Sequence, residues 1–493
     1  MLSSFKFKFV FICLFFNILS PAFGQVLNNL SLKESIAKAQ HSSLSYKIAF
    51  NIAQSNRWNY QIFKAGLLPK LNISGEIPNY YRNISKITLP SGENDFVVEN
   101  FIGGSASLNL RQNIPLTGGS FTVSSSLQRI DNLGTFSSKA YTSVPLSLSY
   151  FQNNLFINEL KWNGKLEKLK LTETERKYAE DLEDIAFNAV LRFFDVISAE
   201  SKLKLDSQNL KNIDTLLKTS EARYAIGTKT LNDILQIRIS YGNAKTSLNS
   251  SLLRLHTSKQ ELIRFLNLEK DRDIGLVTPD FPKFVFIDLK EALLQAAKNR
   301  KFGIEFKRRK LEAELAVKRT AAATAPAVSI RANIGLTQTN ADFVASYSSL
   351  LRNQYLTIGF SVPIIDWGSN KANRKKALSM QELEIANIEQ ENVFYEQEIE
   401  SEIINWNMLQ QQASISKETV NLAQRRYEIA KQKYLLGTLT FTDFNNSQLE
   451  KDKASGDYLD IIKSFWMAHY KIRRITLYDF EKKNEINFKN LID

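Results

Sequence analysis

Two stretches of this chain are near-copies of each other. The first reads Tyr224-Ala225-Ile226-Gly227-Thr228-Lys229-Thr230-Leu231-Asn232-Asp233. The second reads Tyr434-Leu435-Leu436-Gly437-Thr438-Leu439-Thr440-Phe441-Thr442-Asp443. Tyr, Gly, both Thr and Asp recur 210 positions apart (434 against 224). Each copy follows one long helix-period run and precedes another. Glycine can take the left-handed conformation that ends a helix, so Gly227 and Gly437 mark reversals. Thr230 and Thr440 then cap the next helix, with Asp233 and Asp443 three residues on at its positive end. Taken singly, each is an ordinary turn between two helices. Taken as a pair, they say that the chain is built twice.

The start of the chain is not part of that plan. Lys6 and Lys8 precede an apolar run from Phe9 to Leu19 that is too short to span a membrane. Ala22-Phe23-Gly24 is a small-x-small cleavage site, so residues 1–24 read as a signal peptide and the mature chain as starting at Gln25. Cys13, the only cysteine, leaves with the signal, which excludes disulfides and cysteine metal sites. The rest holds no apolar run of ~20 residues, hence no transmembrane helix. The formal charge of +13 can indicate nucleic acid. An exported chain rarely meets any, and anionic lipid head groups or plain solubility fit better.

Within residues 25–285, Leu32 to Ala65 reads as one helix. It opens on a Ser31/Glu34 capping box and carries Ile36, Leu44, Ile48 and Ile52 at helical spacing. After Gly66-Leu67-Leu68-Pro69 the period switches to two, over residues 70–151. Leu71, Ile73 and Ile77 form the first alternating run, and Ala106, Leu108 and Leu110 the second. Phe121, Val123 and Leu127 form the third, and Leu146, Leu148 and Tyr150 the fourth. Leu116-Thr117-Gly118-Gly119 is a hairpin turn between the second and third. A helix pair over 163–267 follows. Its first member, Asn163 to Ile226, would be roughly 90 Å long, with bends or breaks allowed. Its second carries a strict three-four seam at Ile234, Ile237, Tyr241, Ala244, Leu248, Ser251, Leu255, Ser258, Leu262 and Phe265. Residues 268–285 are a connector.

Residues 286–480 restart the plan. Asp288-Leu289-Lys290-Glu291 matches Ser31-Leu32-Lys33-Glu34 at an offset of 257 (288 against 31), and Pro326 matches Pro69. Strands follow over 327–363, from Val328, Ile330, Ala332, Ile334 and Leu336 and from Leu356, Ile358, Phe360 and Val362. A second long helix pair spans 369–480, its last helix seamed at Ala454, Tyr458, Ile461, Phe465, Ala468, Ile472 and Ile475. Residues 481–493 are a tail. The fall in offset from 257 to 210 leaves extra residues in the first half's strand region, the hairpin from Ser105 to Arg129 among them.

Strands with one apolar face suit a membrane barrel, although a sheet packed on helices alternates equally well. Export, the very long helices and the repeat favour the barrel. Six candidate strands are fewer than the eight or so that close one, and open sheet edges are not tolerated in lipid. Several copies must therefore share the barrel.

With these features, residues 30–480 resemble the TolC-like outer-membrane efflux protein family. The carriers are Leu32-Lys33-Glu34-Ser35-Ile36, Gly66-Leu67-Leu68-Pro69, their repeats at 289–293 and 326, the Pro363 to Gly368 strand exit and both Tyr-x-x-Gly-Thr turns. The Ile114 to Gly119 hairpin and the Tyr150 to Trp162 segment look like the version in Bacteroidetes-type members. The resemblance implies a mainly helical fold with membrane β-structure, in which long antiparallel coiled-coil helices carry strands into a shared trimeric barrel. It implies four strands per subunit, twelve in all, or eighteen if the extra hairpin joins. It implies a homotrimer in the outer membrane, extending into the periplasm, paired with a periplasmic adaptor and an inner-membrane pump. Its role would be passive export of small toxic compounds. Type I protein secretion and heavy-metal efflux use the same architecture.

A coiled-coil scaffold without a channel would not need amphipathic strands, and an enzyme would need a convergent polar site. His41, His256 and His469 are far apart, and no phosphate loop follows a strand. No catalytic residue, cofactor or metal is expected. The resemblance puts a constricting aspartate at Asp443 and its second aspartate at Asn446. Three such chains would make a ring of carboxylates beside a ring of amides; the alternative is that Asp443 only caps its helix, as Asp233 does. Tyr224, Gly227, Thr228, Tyr434, Gly437 and Thr438 are candidates for adaptor contact, or for shaping the turn alone. Lys371, Arg374, Lys375 and Lys376, like Lys161, Lys165, Lys168 and Lys170, follow a strand exit. They read as contacts to outer-membrane lipid or as a merely soluble helix surface.

Overall fold

The computed structural model describes residues 29–133, 137–269, 274–280 and 283–486. The expected signal peptide, with Cys13 and the cleavage site, and the last seven residues of the tail lie outside them.

The first repeat opens with β1 (Asn29–Leu30), α1 (Leu32–Ser42) and α2 (Leu44–Gly66). The expected single helix is thus two. Ser43 breaks it by leaving helical conformation and accepting the Tyr46 amide as the N-cap of α2. The break turns α2 so that Ala49 and Ala53 are buried, while Leu44, Ile48 and Ile52 stay exposed. Four strands follow, β2 (Lys70–Thr88), β3 (Asn94–Asn113), β4 (Ser120–Asn132) and β5 (Ser138–Gln152). Then come α3 (Glu159–Ala225) and α4 (Leu231–Phe265). The connector is not wholly irregular, because its β6 (Gly275–Leu276) pairs in parallel with β1.

The second repeat runs through α5 (Leu289–Asn299), α6 (Phe302–Thr324), β7 (Ala327–Asn340) and β8 (Leu351–Ser361). It continues with α7 (Ser369–Leu435) and α8 (Phe441–Thr476). The last helix thus stops short of Phe480, at Leu477 in left-handed conformation. The chain then folds back as β9 (Tyr478–Asp479) against β10 (Asn484–Glu485). α1 and α5 lie 257 positions apart (289 against 32). α3 and α7 lie 210 apart (369 against 159), and each is one continuous helix of 67 residues. At 1.5 Å per residue each spans about 100 Å.

α3 packs on α4 and α8, and α8 packs on α7, so the long helices lie in the order α4-α3-α8-α7. Every seam residue expected on α4 and α8 is buried or half-buried. Phe193, Phe194 and Val190 of α3 fill the middle of one core with α1, α2 and the end of α4. Trp406 and Phe465 join α7 to α8 in a second core. Ion pairs, one of them centred on a buried carboxylate, tie the repeats together at this level. Arg473 of α8 holds both oxygens of fully buried Glu183 on α3, each at 2.9 Å. Arg474 reaches Asp184 of α3 and Glu398 of α7. Such pairs cost desolvation, so they set the register of the helices more than they add stability.

All six long strands form one antiparallel sheet in the order β2-β3-β4-β5-β7-β8. They run from 11 to 20 residues. The β3–β4 hairpin lies inside the sheet, between β2 and β5, so the chain contributes six strands rather than the four implied by the basic resemblance. A bulge in β5 between Ser143 and Leu146, at Val144-Pro145, keeps its faces in step with β4 and β7.

Candidate functional site

The register of the sheet sorts its side chains into two unlike faces, because residues directly opposite each other share a face. Leu71, Leu110, Val123, Leu148 and Ile334 form one row across five strands. Ile330 and Ile358, then Val328 and Phe360, continue that face on β7 and β8. The opposite face carries the row Asn72, Asn109, Ser124, Ser147, Gly335 and Asn353. Its hydroxyls and amides bond along the wall. Ser74 and Ser107 are 2.8 Å apart, and Asn333 donates to Ser147 at 2.6 Å and to Ser149 at 2.8 Å. The apolar face is left uncovered over much of its width. Ile73 and Phe360 are each 80% exposed.

Helices attach at one end of the sheet only. There the chain exposes Leu116, Ile364, Ile365 and Trp367, the last with φ 52°. Lys371, Arg374, Lys375 and Lys376 follow directly on the first turns of α7, all exposed. Cations there oppose the helix dipole. Asp366 offsets them by accepting the Gly368 and Asn370 amides, both at 2.9 Å, and these bonds hold its carboxyl below the usual range. Nothing in the sequence reading had singled out Asp366. Trp162, half-buried, is bracketed by Lys165 and by Lys318 of α6.

At the far end of the long helices the two copied turns lie side by side. The glycine and the threonine after it make the same bonds in both. Gly227 and Gly437 sit at φ 74° and 82°, with amides donating to the Tyr224 and Tyr434 carbonyls. Thr228 and Thr438 each spend both amide and hydroxyl on one carbonyl, that of Arg223 and of Lys433. The two threonines therefore shape the turns. The tyrosines differ in place. Tyr224 is exposed, whereas Tyr434 is buried against Phe441 and Phe444 in a small core with Ile213, Leu216 and Ile237 of the other hairpin. The outermost apolar side chains are Ile226 and Leu436, 75% and 79% exposed and also 210 positions apart. The sequence reading passed over them, although their matched place next to each glycine was the signal.

Polar links join the turns. Arg223 donates to the Leu435 carbonyl at 3.2 Å, and Gln236 to the Thr442 hydroxyl at 3.0 Å. The Lys229 ammonium lies 5.4 Å from the Tyr434 ring. Asp233 accepts both the amide and the hydroxyl of Thr230 in a complete capping box, which lowers its pKa. Asp443 accepts only the Thr440 hydroxyl, at 2.6 Å, among the described residues. Its carboxylate is exposed, and exposed Asn446 lies one turn along the same face.

Among the described residues no group of His, Cys, Asp and Glu could hold a metal ion, and no helix is long and apolar enough to cross a membrane. His469 is half-buried beside Trp406, Trp466 and Tyr470, away from both the sheet and the turns.

Residues 293–461 match the family model described as outer membrane efflux protein. No curated protein matches the chain. Among solved structures, the Campylobacter jejuni CmeC outer membrane channel is similar over 93% of this chain and 87% of its own, at 15% identity and TM-score 0.67. The Vibrio cholerae outer membrane protein VceC is similar over 90% and 95%, at 13% identity and TM-score 0.64. CusC, described as forming a transmembrane channel, is similar over 92% of both chains, at 16% identity and TM-score 0.62. The fold is that of the TolC-like channels.

Proposed function

We propose that this chain, which carries an outer membrane efflux protein domain over residues 293–461, is the outer-membrane channel-tunnel of a tripartite efflux system. Three copies would share one barrel, and their long helices would continue it as a tunnel through the periplasm. The observation that carries this reading is the two-faced sheet standing at one end of helices about 100 Å long. An uncovered apolar face backed by a mainly polar one suits lipid outside and water inside. The uncovered edges of β2 and β8 require partners in lipid, which further copies supply.

In this arrangement the copied turns are the periplasmic entrance. Three Asp443 carboxylates would ring it, with Asn446 amides one layer away, and such a ring attracts cations and narrows the opening. Asp233, held in a complete capping box, serves its helix. A periplasmic adaptor would meet the exposed tips, through Ile226 and Leu436 beside Tyr224, and Tyr434 would support that surface from within. Lys371, Arg374, Lys375 and Lys376 would meet lipid phosphates below the girdle of Trp367, Ile364 and Ile365. No catalytic step is needed, since the pump supplies the energy.

The cargo class is small toxic compounds. Cells lacking this chain should accumulate a fluorescent cationic dye several-fold and recover when the full chain is restored. Unchanged dye levels, with a secreted polypeptide or a metal ion retained instead, would move the reading to the other export roles.

A further inference from the structure

We infer that the trimeric barrel has eighteen strands, with the β3–β4 hairpin of every copy forming part of the wall. The inference rests on the shared-barrel reading above and concerns its width. Three observations carry it. The hairpin is hydrogen-bonded on both sides, to β2 along one edge and to β5 along the other. It continues both faces of its neighbours without a break. Leu110 and Phe121 stand on the apolar face, Asn109 and Ser124 on the polar one. A hairpin lying outside the wall would have no reason to keep that division.

The third observation is at the helix end of the sheet. β2, β5, β7 and β8 each join a long-helix layer, through α2, α3, α6 and α7. β3 and β4 join no helix and end in a turn, which the flanking helices clamp. Gln112 donates to the Leu67 carbonyl at 2.7 Å and Asn113 to the Gly66 carbonyl at 2.9 Å, both at the end of α2. Asn158, the N-cap of α3, donates to the carbonyls of Pro115 and Leu116 at 2.8 and 3.0 Å. The turn is thus a spacer between α2 and α3, and the wall is wider than the tunnel beneath it by two strands per copy.

At ~4.8 Å between strands and ~40° tilt, eighteen strands place the backbone on a circle roughly 36 Å across, against roughly 24 Å for twelve. The outer opening is therefore no barrier to bulky cargo, and selection falls to the narrow periplasmic end.

The chain has no cysteine after residue 13, so single thiols can be placed cleanly. Leu110→Cys, Phe121→Cys, Asn109→Cys and Ser124→Cys full-length proteins are each reconstituted in phosphatidylcholine with brominated acyl chains, one portion labelled beforehand with bimane and one with its thiol left free. The first two should be quenched several-fold, and the last two should instead react with a membrane-impermeant maleimide. Escape from quenching at Leu110 and Phe121 alike would put the hairpin outside the wall and overturn the inference. Electron cryomicroscopy of the unsubstituted trimer gives the same decision without variants. Eighteen wall strands support the inference, and twelve overturn it while leaving the duct reading intact. Particles without a barrel would instead remove the duct reading itself.

Discussion

His469 is held on α8 among Trp406, Trp466 and Tyr470, and burial lowers its pKa from 6.5 to about 4, with the nearby Arg473 adding to the effect. Asp479 pulls weakly the other way, and Lys482 adds to the lowering. The unfolded chain then binds a proton between these values that the folded chain refuses. The stabilising effect of neutral His469 is complete above pH 6.5 and is lost as pH falls through about 4, by up to about 3 kcal/mol. His469→Phe should shrink the difference in trimer melting temperature between about pH 7.5 and about pH 4.5. An unchanged difference would show that other groups govern acid sensitivity. A second residue-scale test concerns the tips. Photo-crosslinkers at Ile226 and Leu436 should capture the adaptor, and capture only from the middle of α3 or α7 would relocate the contact. The turn glycines and both capping threonines were legible in the sequence, because their roles are local. Which residue of each turn faces outward was not, because that depends on how the two hairpins share a core.

α4 and α7 are the outer helices of the layer, and each carries apolar residues left exposed among the described residues. On α7, Met408, Ile415, Leu422 and Ile429 recur every seventh position, each 52–58% exposed. Leu235, Ile239 and Leu253 are similarly open on α4. Heptad spacing is a coiled-coil seam awaiting a partner, so α7 of one copy should pack on α4 of the next. Leu422→Ala should cost about 2–3 kcal/mol per interface if the site is fully covered in the trimer. Ile415→Glu with Leu422→Glu should yield monomers on native gels; intact trimers would send the interface elsewhere. At the strand exit, reversing the charge of Lys371, Arg374, Lys375 and Lys376 should impair outer-membrane insertion, and normal assembly would count against lipid contact. The α4 and α8 seams were readable because three-four spacing survives in a straight helix. On α2 the spacing of Leu44, Ile48 and Ile52 marked the helix, yet these residues are exposed and the small Ala49 and Ala53 make the close approach to the core. Periodicity identifies a stripe, not which of two partners it meets.

The whole molecule is a duplicated plan with one asymmetry. The helices repeat in matching order and in lengths equal to within one residue, down to the 67 residues of α3 and α7. The strands do not, since the first half supplies four and the second two. The duplication and all six strands were visible in the alternating runs. The place of the extra hairpin was not, because pairing is non-local and period-two alternation names a strand without naming its neighbours. The central claim is that copies of this chain assemble into a water-filled duct with its constriction at Asp443. Single-channel recording of purified full-length protein in planar bilayers tests it most directly. Discrete conductance steps should appear and be reduced by divalent cations. Asp443→Asn should raise the conductance or relieve the block, while Asp233→Asn should do less. Trimers that insert without conducting would contradict the duct, and equal negligible effects from both substitutions would return Asp443 to the role of a helix cap.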